Sequence, residues 1–261
     1  MDPALLAFAE DPSAFVGIGP DEERVATPRA VVTFAPGEHF WSVTVARVRF
    51  GAGTVASDLE DVRSLMDARG RKAAAWSVGP SATPADIVPE LVSLGLQRES
   101  AKGSSILLLT DEPKLEPVEF DVRPVRTLED LLAAIEVTIE GFGFSSKEAD
   151  DELRRVRDTF EAERMDNGSA RLLAFDGARP IATGRAWFGP QGVYLGGGAT
   201  IPSHRRRGAM SSLVVAAWVE ALRRRTPALV TTGGDMSASP LRRLGFQTVG
   251  RLDHLIDRFE A

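Results

Sequence analysis

The chain has 261 residues, 43% apolar and 26% charged, with a formal net charge of −6, the make-up of a globular chain long enough for one large domain or two small ones. The lack of cysteine excludes disulfides, thiolate metal sites and a cysteine nucleophile; three scattered histidines, His39, His204 and His254, argue against a metal site, and the negative balance argues against nucleic acid as a partner. No apolar run approaches the roughly 20 residues of a membrane span, and MDPALLAFAEDP lacks the basic start of a signal peptide, so no membrane partner and a cytoplasmic location are expected.

In chain order, Val31 to Phe34 and Ser42 to Phe50 alternate as strands, Leu59 to Arg69 has helical spacing, and Ala73 to Val78 reads as a strand. Pro84 to Leu94 predicts a helix with proline near its start. The β-like run Ser105-Ile-Leu-Leu-Leu109 then meets a polar segment, Thr110 to Pro117, with two prolines. That segment predicts a boundary between domains 1–115 and 117–261.

Beyond it, a strand over 119–126 leads into a helix from Leu128 to Gly141, with Thr127 as N-cap. A charged amphipathic helix spans 146–165, capped by Ser145 or Ser146. Arg171 to Phe175 and Ile181 to Phe188 flank Asp176-Gly177, a hairpin signal. Gln191-Gly192 turns into a strand, Val193 to Thr200, followed by a basic loop and a helix over 208–225. A buried-type strand, Ala228 to Thr232, a Ser-rich loop and a short helix ending at Leu244-Gly245 come next, and two strands or a β-arm over 246–259 close the chain. Leu91-Val-Ser-Leu-Gly-Leu-Gln97 is echoed by Leu241-Arg-Arg-Leu-Gly-Phe-Gln247, 150 residues later. Each copy follows a strand, a Ser-rich loop and a short helix, so a duplicated fold is expected.

The chemistry lies in Gly198-Ala-Thr-Ile-Pro-Ser-His-Arg-Arg-Arg-Gly-Ala-Met-Ser-Ser-Leu213. A strand ends, a basic loop follows, and a helix begins at once. A helix N-terminus offers unpaired N–H groups and a positive dipole end, which suits a pyrophosphate. Gly208 lets the backbone approach the anion, and Arg205, Arg206 and Arg207 surround it with charge-assisted donors. His204 reads as a loop residue rather than a base. Gly196-Gly197-Gly198 suggests close approach of a ligand, a β-bulge, or both. Arg223 to Arg225 complement a helix end.

In this segment the chain resembles the GCN5-related N-acetyltransferase (GNAT) superfamily, whose acetyl-CoA loop is Gln or Arg, two residues, Gly, one residue, then Gly or Ala. Arg205 and Gly208 match; Met210 stands where a small residue is usual. The proline before the loop, Leu213, Leu244-Gly245-Phe246 and the order of elements over 117–261 also match. The resemblance implies a mixed, splayed α/β sheet flanked by helices, as a tandem of a degenerate N-terminal lobe and an active C-terminal lobe. It implies that Gly198, Ala199 and Thr200 pair with the pantetheine arm of acetyl-CoA. Arg205, Arg206, Arg207, Gly208, Ala209, Met210, Ser211 and Ser212 would hold the pyrophosphate. The family's tyrosine acid has Leu241 in its place, so Ser239 is the candidate acid, with Ser237 and Asp235 nearby. Phe142, Phe144, Trp187 and Tyr194 are candidates for lining the site of a small-molecule or peptide amine. No metal is expected, and oligomeric state is not encoded in any motif. The function expected is acetyl transfer to an amine; the alternative is a non-catalytic acyl-CoA-binding regulatory protein.

Overall fold

A computed structural model describes residues 2–19, 21–114, 120–165 and 168–260. The elements are α1 (Pro3–Glu10), β1 (Glu23–Ala26), β2 (Val31–Phe34), β3 (Val43–Ala46), α2 (Val55–Asp67), β4 (Ala73–Val78), α3 (Ile87–Ser93), β5 (Gln97–Arg98) and β6 (Ser104–Leu109). They continue as β7 (Asp121–Pro124), α4 (Leu128–Phe142), α5 (Ser146–Met165), β8 (Ser169–Asp176), β9 (Arg179–Phe188), β10 (Val193–Thr200), α6 (Ala209–Arg223), β11 (Leu229–Gly233), α7 (Asp235–Arg243) and β12 (Gln247–Arg258). The chain divides into two units: Met1–Leu107 with Thr232–Ala238 and Thr248–Ala261, and Leu108–Thr231 with Ser239–Gln247.

In the first unit the strands run β1-β2-β3-β4-β12-β6, with β5 on β12. β1 to β3 are antiparallel, and β3 meets β4 in parallel at only two positions, Thr44 opposite Ala75 and Val45 opposite Trp76. The last strand of the chain pairs antiparallel with β4, from Asp253 opposite Val78 to Arg258 opposite Ala73. Val55, Leu59, Val62 and Met66 recur at helical spacing on α2 and pack with Val32, Val45, Trp76 and Leu255. Each such burial contributes about 1.5–3 kcal/mol. Asp257, fully buried on β12, takes two hydrogen bonds from Arg63 of α2, at 3.0 and 2.7 Å.

In the second unit the order is β11-β10-β9-β8-β7. β7 to β10 form an antiparallel meander, and β11 joins β10 in parallel from Val193 opposite Leu229 to Leu195 opposite Thr231. Ala209 and Leu213 of α6 pack with Ala174, Ile181, Ala182 and Ile201. Leu131 and Ile135 of α4 form a second cluster with Val156 of α5. Thr127 caps α4 in a reciprocal box with Asp130, and Ser145 exchanges hydrogen bonds with Glu148 ahead of α5.

Several elements differ from their sequence patterns. The strand expected over 42–50 stops at Ala46, because Arg47 turns to φ +53° and takes the chain off the sheet. α2 begins at Val55 rather than Leu59, and α3 at Ile87 rather than Pro84. The two closing strands are one strand, β12. Ser237 and Ser239, expected in a loop, lie on α7. α1 and β1 carried no strong periodicity. Of the expected boundary and the strand at 119, residues 115–119 lie outside the described residues.

The echoed heptads have the same backbone. Leu94 N–H bonds the Glu90 carbonyl, Gly95 that of Val92 and Leu96 that of Leu91; the bonds of Leu244, Gly245 and Phe246 to Pro240, Arg242 and Leu241 repeat them 150 residues on. Gly95 and Gly245 both close the turn with positive φ, at +103° and +107°, which glycine adopts without the Cβ penalty.

Candidate functional site

The site is built on β10. Its pairing with β11 ends at Leu195, and between Gly196 and Ala199 its register on β9 slips. Gly197 sits at φ +61° in that bulge. The flanking glycines give their side-chain space to neighbours. A Cβ on Gly196 would come within 3.0 Å of the Trp187 ring and 3.3 Å of the Tyr194 hydroxyl, and one on Gly198 within 2.9 Å of the Met210 methyl. Trp187 and Tyr194 stack, with centroids 5.3 Å apart. The larger residue in the motif, Met210, therefore turns onto the strand and packs against the core.

The three loop arginines face different ways. Arg205 donates from Nη2 to the Gly141 carbonyl at 2.6 Å and from Nε to the Thr200 carbonyl at 3.3 Å. Arg207 lies 3.5 Å from the Asp176 carboxylate and over the Phe120 ring. Arg206 is exposed at φ +62°, with no side-chain partner recorded among the described residues. His204 is buried; its Nε2 lies 3.1 Å from Asp176 and its Nδ1 2.9 Å from the Ser203 hydroxyl. Asp176 thus ties the loop to the β8–β9 hairpin, a role hidden in the sequence, where Asp-Gly reads only as a turn.

Gly208 is the N-cap of α6, at φ +91°, with no side chain bonding the helix end. A Cβ there would meet nothing within 4 Å. The N–H groups of Ala209, Met210 and Ser211 have no backbone partner among the described residues, and the first helical bond is Ser212 N–H to the Gly208 carbonyl, at 3.0 Å. Ser211 is half-buried; Ser212 is buried, its hydroxyl returning to the Gly208 carbonyl. An uncapped helix start behind left-handed residues has the donors an anion needs, and the residues present fit a pyrophosphate.

Phe142 and Phe144 stack at the end of α4, centroids 6.2 Å apart and both exposed. Just before them, Gly141 lies against Ala199 and Thr200 of β10, where an added Cβ would meet atoms at 3.0–3.3 Å. Sequence reasoning passed over Gly141. Ser239 is exposed on α7, while Leu241, in the place of the family's tyrosine, is buried. No cluster able to hold a metal occurs among the described residues, and no described helix is long and apolar enough to cross a membrane.

The first unit repeats part of this plan, with its own side chains and backbone bonded where β10 and α6 leave groups without partners. Eight residues separate the last residue of β3 from the first of α2, Ala46 to Val55, as they do β10 from α6, Thr200 to Ala209. Where α6 carries Ser212, α2 carries Asp58, and its N–H bonds the Thr54 carbonyl as that of Ser212 bonds Gly208. The buried Asp58 carboxylate accepts the Gly51 N–H at 2.8 Å and the Thr54 hydroxyl at 2.9 Å, and lies 2.9 Å from Arg29 Nε. Burial pushes this carboxyl up, but the Gly51 N–H, the Thr54 hydroxyl and the Arg29 charge outweigh it and hold it below the usual range. Beyond β3, Phe50 N–H bonds the Thr83 carbonyl and Thr83 N–H the Val48 carbonyl, so the chain itself pairs with the strand's free edge. Glu10 accepts the Ser81 N–H and hydroxyl, and Asp11 beside it is 3% exposed.

No protein-family model matches the chain, and no curated protein aligns with it significantly. Solved structures do match over its whole length. A GCN5-related N-acetyltransferase from Kribbella flavida has a TM-score of 0.69 at 18% identity, covering 100% of this chain and 97% of its own. A conserved protein of unknown function from Staphylococcus epidermidis ATCC 12228 gives 0.70 at 12%, covering 96% and 98%. A tandem GNAT protein from the clavulanic acid biosynthesis pathway gives 0.59 at 14%, covering 98% and 93%. The fold is that of the GNAT proteins, a splayed mixed sheet flanked by helices.

Proposed function

We propose that the C-terminal unit transfers an acetyl group from acetyl-CoA to a primary amine of a small molecule or peptide. The observation that carries this is the continuous run from a glycine-bulged β10, released from β11 after Leu195, into the uncapped N-terminus of α6. In this reading the backbone of Gly198, Ala199 and Thr200 pairs with the pantetheine arm. The loop Arg206 to Met210 and Ser211 surround the pyrophosphate, with N–H groups as donors and Arg206 as the nearest uncommitted cation. The amine nitrogen attacks the thioester carbonyl, the C–N bond forms, and the C–S bond breaks with its electron pair on sulfur. The proton lost from the amine nitrogen passes by way of a hydroxyl to the thiolate, so that the hydroxyl ends as it began. Ser239 on α7 and Tyr194, whose hydroxyl flanks Gly196, are the candidates. Phe142, Phe144 and Trp187 shape the acceptor side. We place the reaction in the cytoplasm, where acetyl-CoA is available to it.

In the same reading the N-terminal unit is a degenerate lobe that binds no acyl-CoA. Asp58 puts a carboxylate against the Gly51 N–H and the Thr54 hydroxyl just ahead of the helix, where its charge opposes a phosphate, and Thr83 pairs with the backbone of residues 48–50 beyond β3.

One observation favours the alternative, a regulator that holds acyl-CoA without turnover: Leu241 leaves no hydroxyl at the family's acid position. Thiol release from acetyl-CoA across a panel of primary amines decides. Turnover on at least one amine is expected, with kcat falling about 10²-fold or more on Tyr194→Phe or Ser239→Ala and binding intact. Tight binding without turnover on any amine favours the regulator.

A further inference from the structure

We propose that Arg205 is a positioning residue that fastens the aromatic turn Phe142-Gly143-Phe144 to β10 and so couples it to the anion loop, rather than a phosphate ligand; this rests on the acyl-CoA reading above. The three adjacent arginines are sorted by what they touch. Arg207 is spent on Asp176 and Phe120, and Arg206 points outward. Arg205 alone reaches back, with two nitrogens on two carbonyls, Gly141 of α4 and Thr200 of β10. A guanidinium suits this task because its donors are fixed in one plane and can hold two acceptors at once.

The acceptor on α4 is one of its last carbonyls, at the negative end of the helix dipole, where a cation is favoured. The contact is close because residue 141 has no side chain: a Cβ would meet Ala199 at 3.0 Å and the Thr200 backbone at 3.3 Å. Directly after it, Gly143 at φ +72° closes the helix, and the Gly143 and Phe144 N–H groups both return to the Ile139 carbonyl, at 2.9 and 3.1 Å. The stacked Phe142 and Phe144 rings project from this turn. One side chain of the anion loop therefore spans the strand proposed to hold pantetheine and the turn proposed to face the acceptor. A cofactor that orders the loop orders the turn through Arg205.

The test uses the full-length chain with CoA as the probe, by calorimetry and by hydrogen exchange at the Gly143 and Phe144 amides. In wild type, CoA is expected to slow exchange at both amides. Arg205→Ala is expected to leave CoA affinity within about 3-fold, to speed exchange at those amides about 10-fold, the weight of one charge-assisted bond in partial solvent, and to remove the slowing by CoA. Arg205→Lys, a single point of donation, does not restore the coupling. A loss of CoA affinity above about 10-fold with unchanged exchange at the turn overturns the proposal and makes Arg205 a phosphate ligand. Faster exchange spread evenly over the unit, with a lower melting temperature, overturns it too, because Arg205 is then scaffold. If wild type does not bind CoA, the acyl-CoA reading fails, while the exchange of the two amides in Arg205→Ala still decides whether the fastening exists.

Discussion

Gly198 and Met210 divide one space between them. The methionine methyl lies where a Cβ on residue 198 would come within 2.9 Å, so Gly198→Ala must move it. The end of a methionine side chain is flexible, so the expected stability loss is below about 1 kcal/mol, but the displaced thioether crowds the loop and CoA affinity falls. Met210→Ala in the same chain is expected to recover that affinity, and a double-mutant cycle read by calorimetry measures the coupling; additive losses would contradict the shared space. Asp11 gives a second prediction at this scale. Burial and the neighbouring Glu10 push its carboxyl up to about 6. A raised acid contributes most below its unfolded pKa and loses that contribution as pH rises through about 6. Asp11→Asn is therefore expected to gain up to about 3 kcal/mol at pH 7, with little gain at pH 4. Denaturant melts at the two values check it, and an equal effect at both would contradict it. Of these residues, Arg205, Gly208 and Met210 were legible as a motif. Asp176, Gly141 and Glu10 were not, because each acts on a partner far away in sequence.

The two helices that follow the parallel-pairing strands, α2 and α6, differ at one decisive position. Asp58 turns its carboxylate onto the Gly51 N–H and the Thr54 hydroxyl just ahead of α2, whereas Ser212 brings no charge to the start of α6 and returns its hydroxyl to the Gly208 carbonyl. Ser212→Asp is expected to copy the first arrangement into the second unit, abolishing CoA binding while leaving thermal stability unchanged or higher by about 0.5–2 kcal/mol, the scale of a helix cap. Calorimetry and a thermal melt check it; retained CoA binding would contradict the view of Asp58 as an internal anion. Most elements of the second unit were legible, because period, caps and turn residues agree there: Thr127 before α4, Asp176-Gly177, and Gly208 before an apolar helix. The first unit was less so. The strand pattern runs through to Phe50, yet the left-handed turn at Arg47 ends β3 early. A single residue at positive φ leaves the alternation of the sequence unchanged, so no local pattern announces it. Likewise β12 reads as the end of the second half, while its pairing partner β4 lies in the first.

For the whole molecule, the echo 150 residues apart marks two copies of one plan, down to three matching backbone bonds at the helix ends and the same short parallel pairing, Thr44 and Val45 on β4 answering Tyr194 and Leu195 on β11. What the seven-residue echo, identical at four positions, does not reveal is which copy would take a cofactor. That depends on the backbone groups that Asp58, Thr83 and Glu10 occupy in one unit, and on the glycine-bulged strand ahead of α6 in the other. The most direct measurement is calorimetric titration of the full chain with acetyl-CoA. One molecule bound per chain, lost in Ser212→Asp and retained in a variant altered at Asp58, is the predicted result. No binding, two molecules per chain, or one site that survives Ser212→Asp would contradict it.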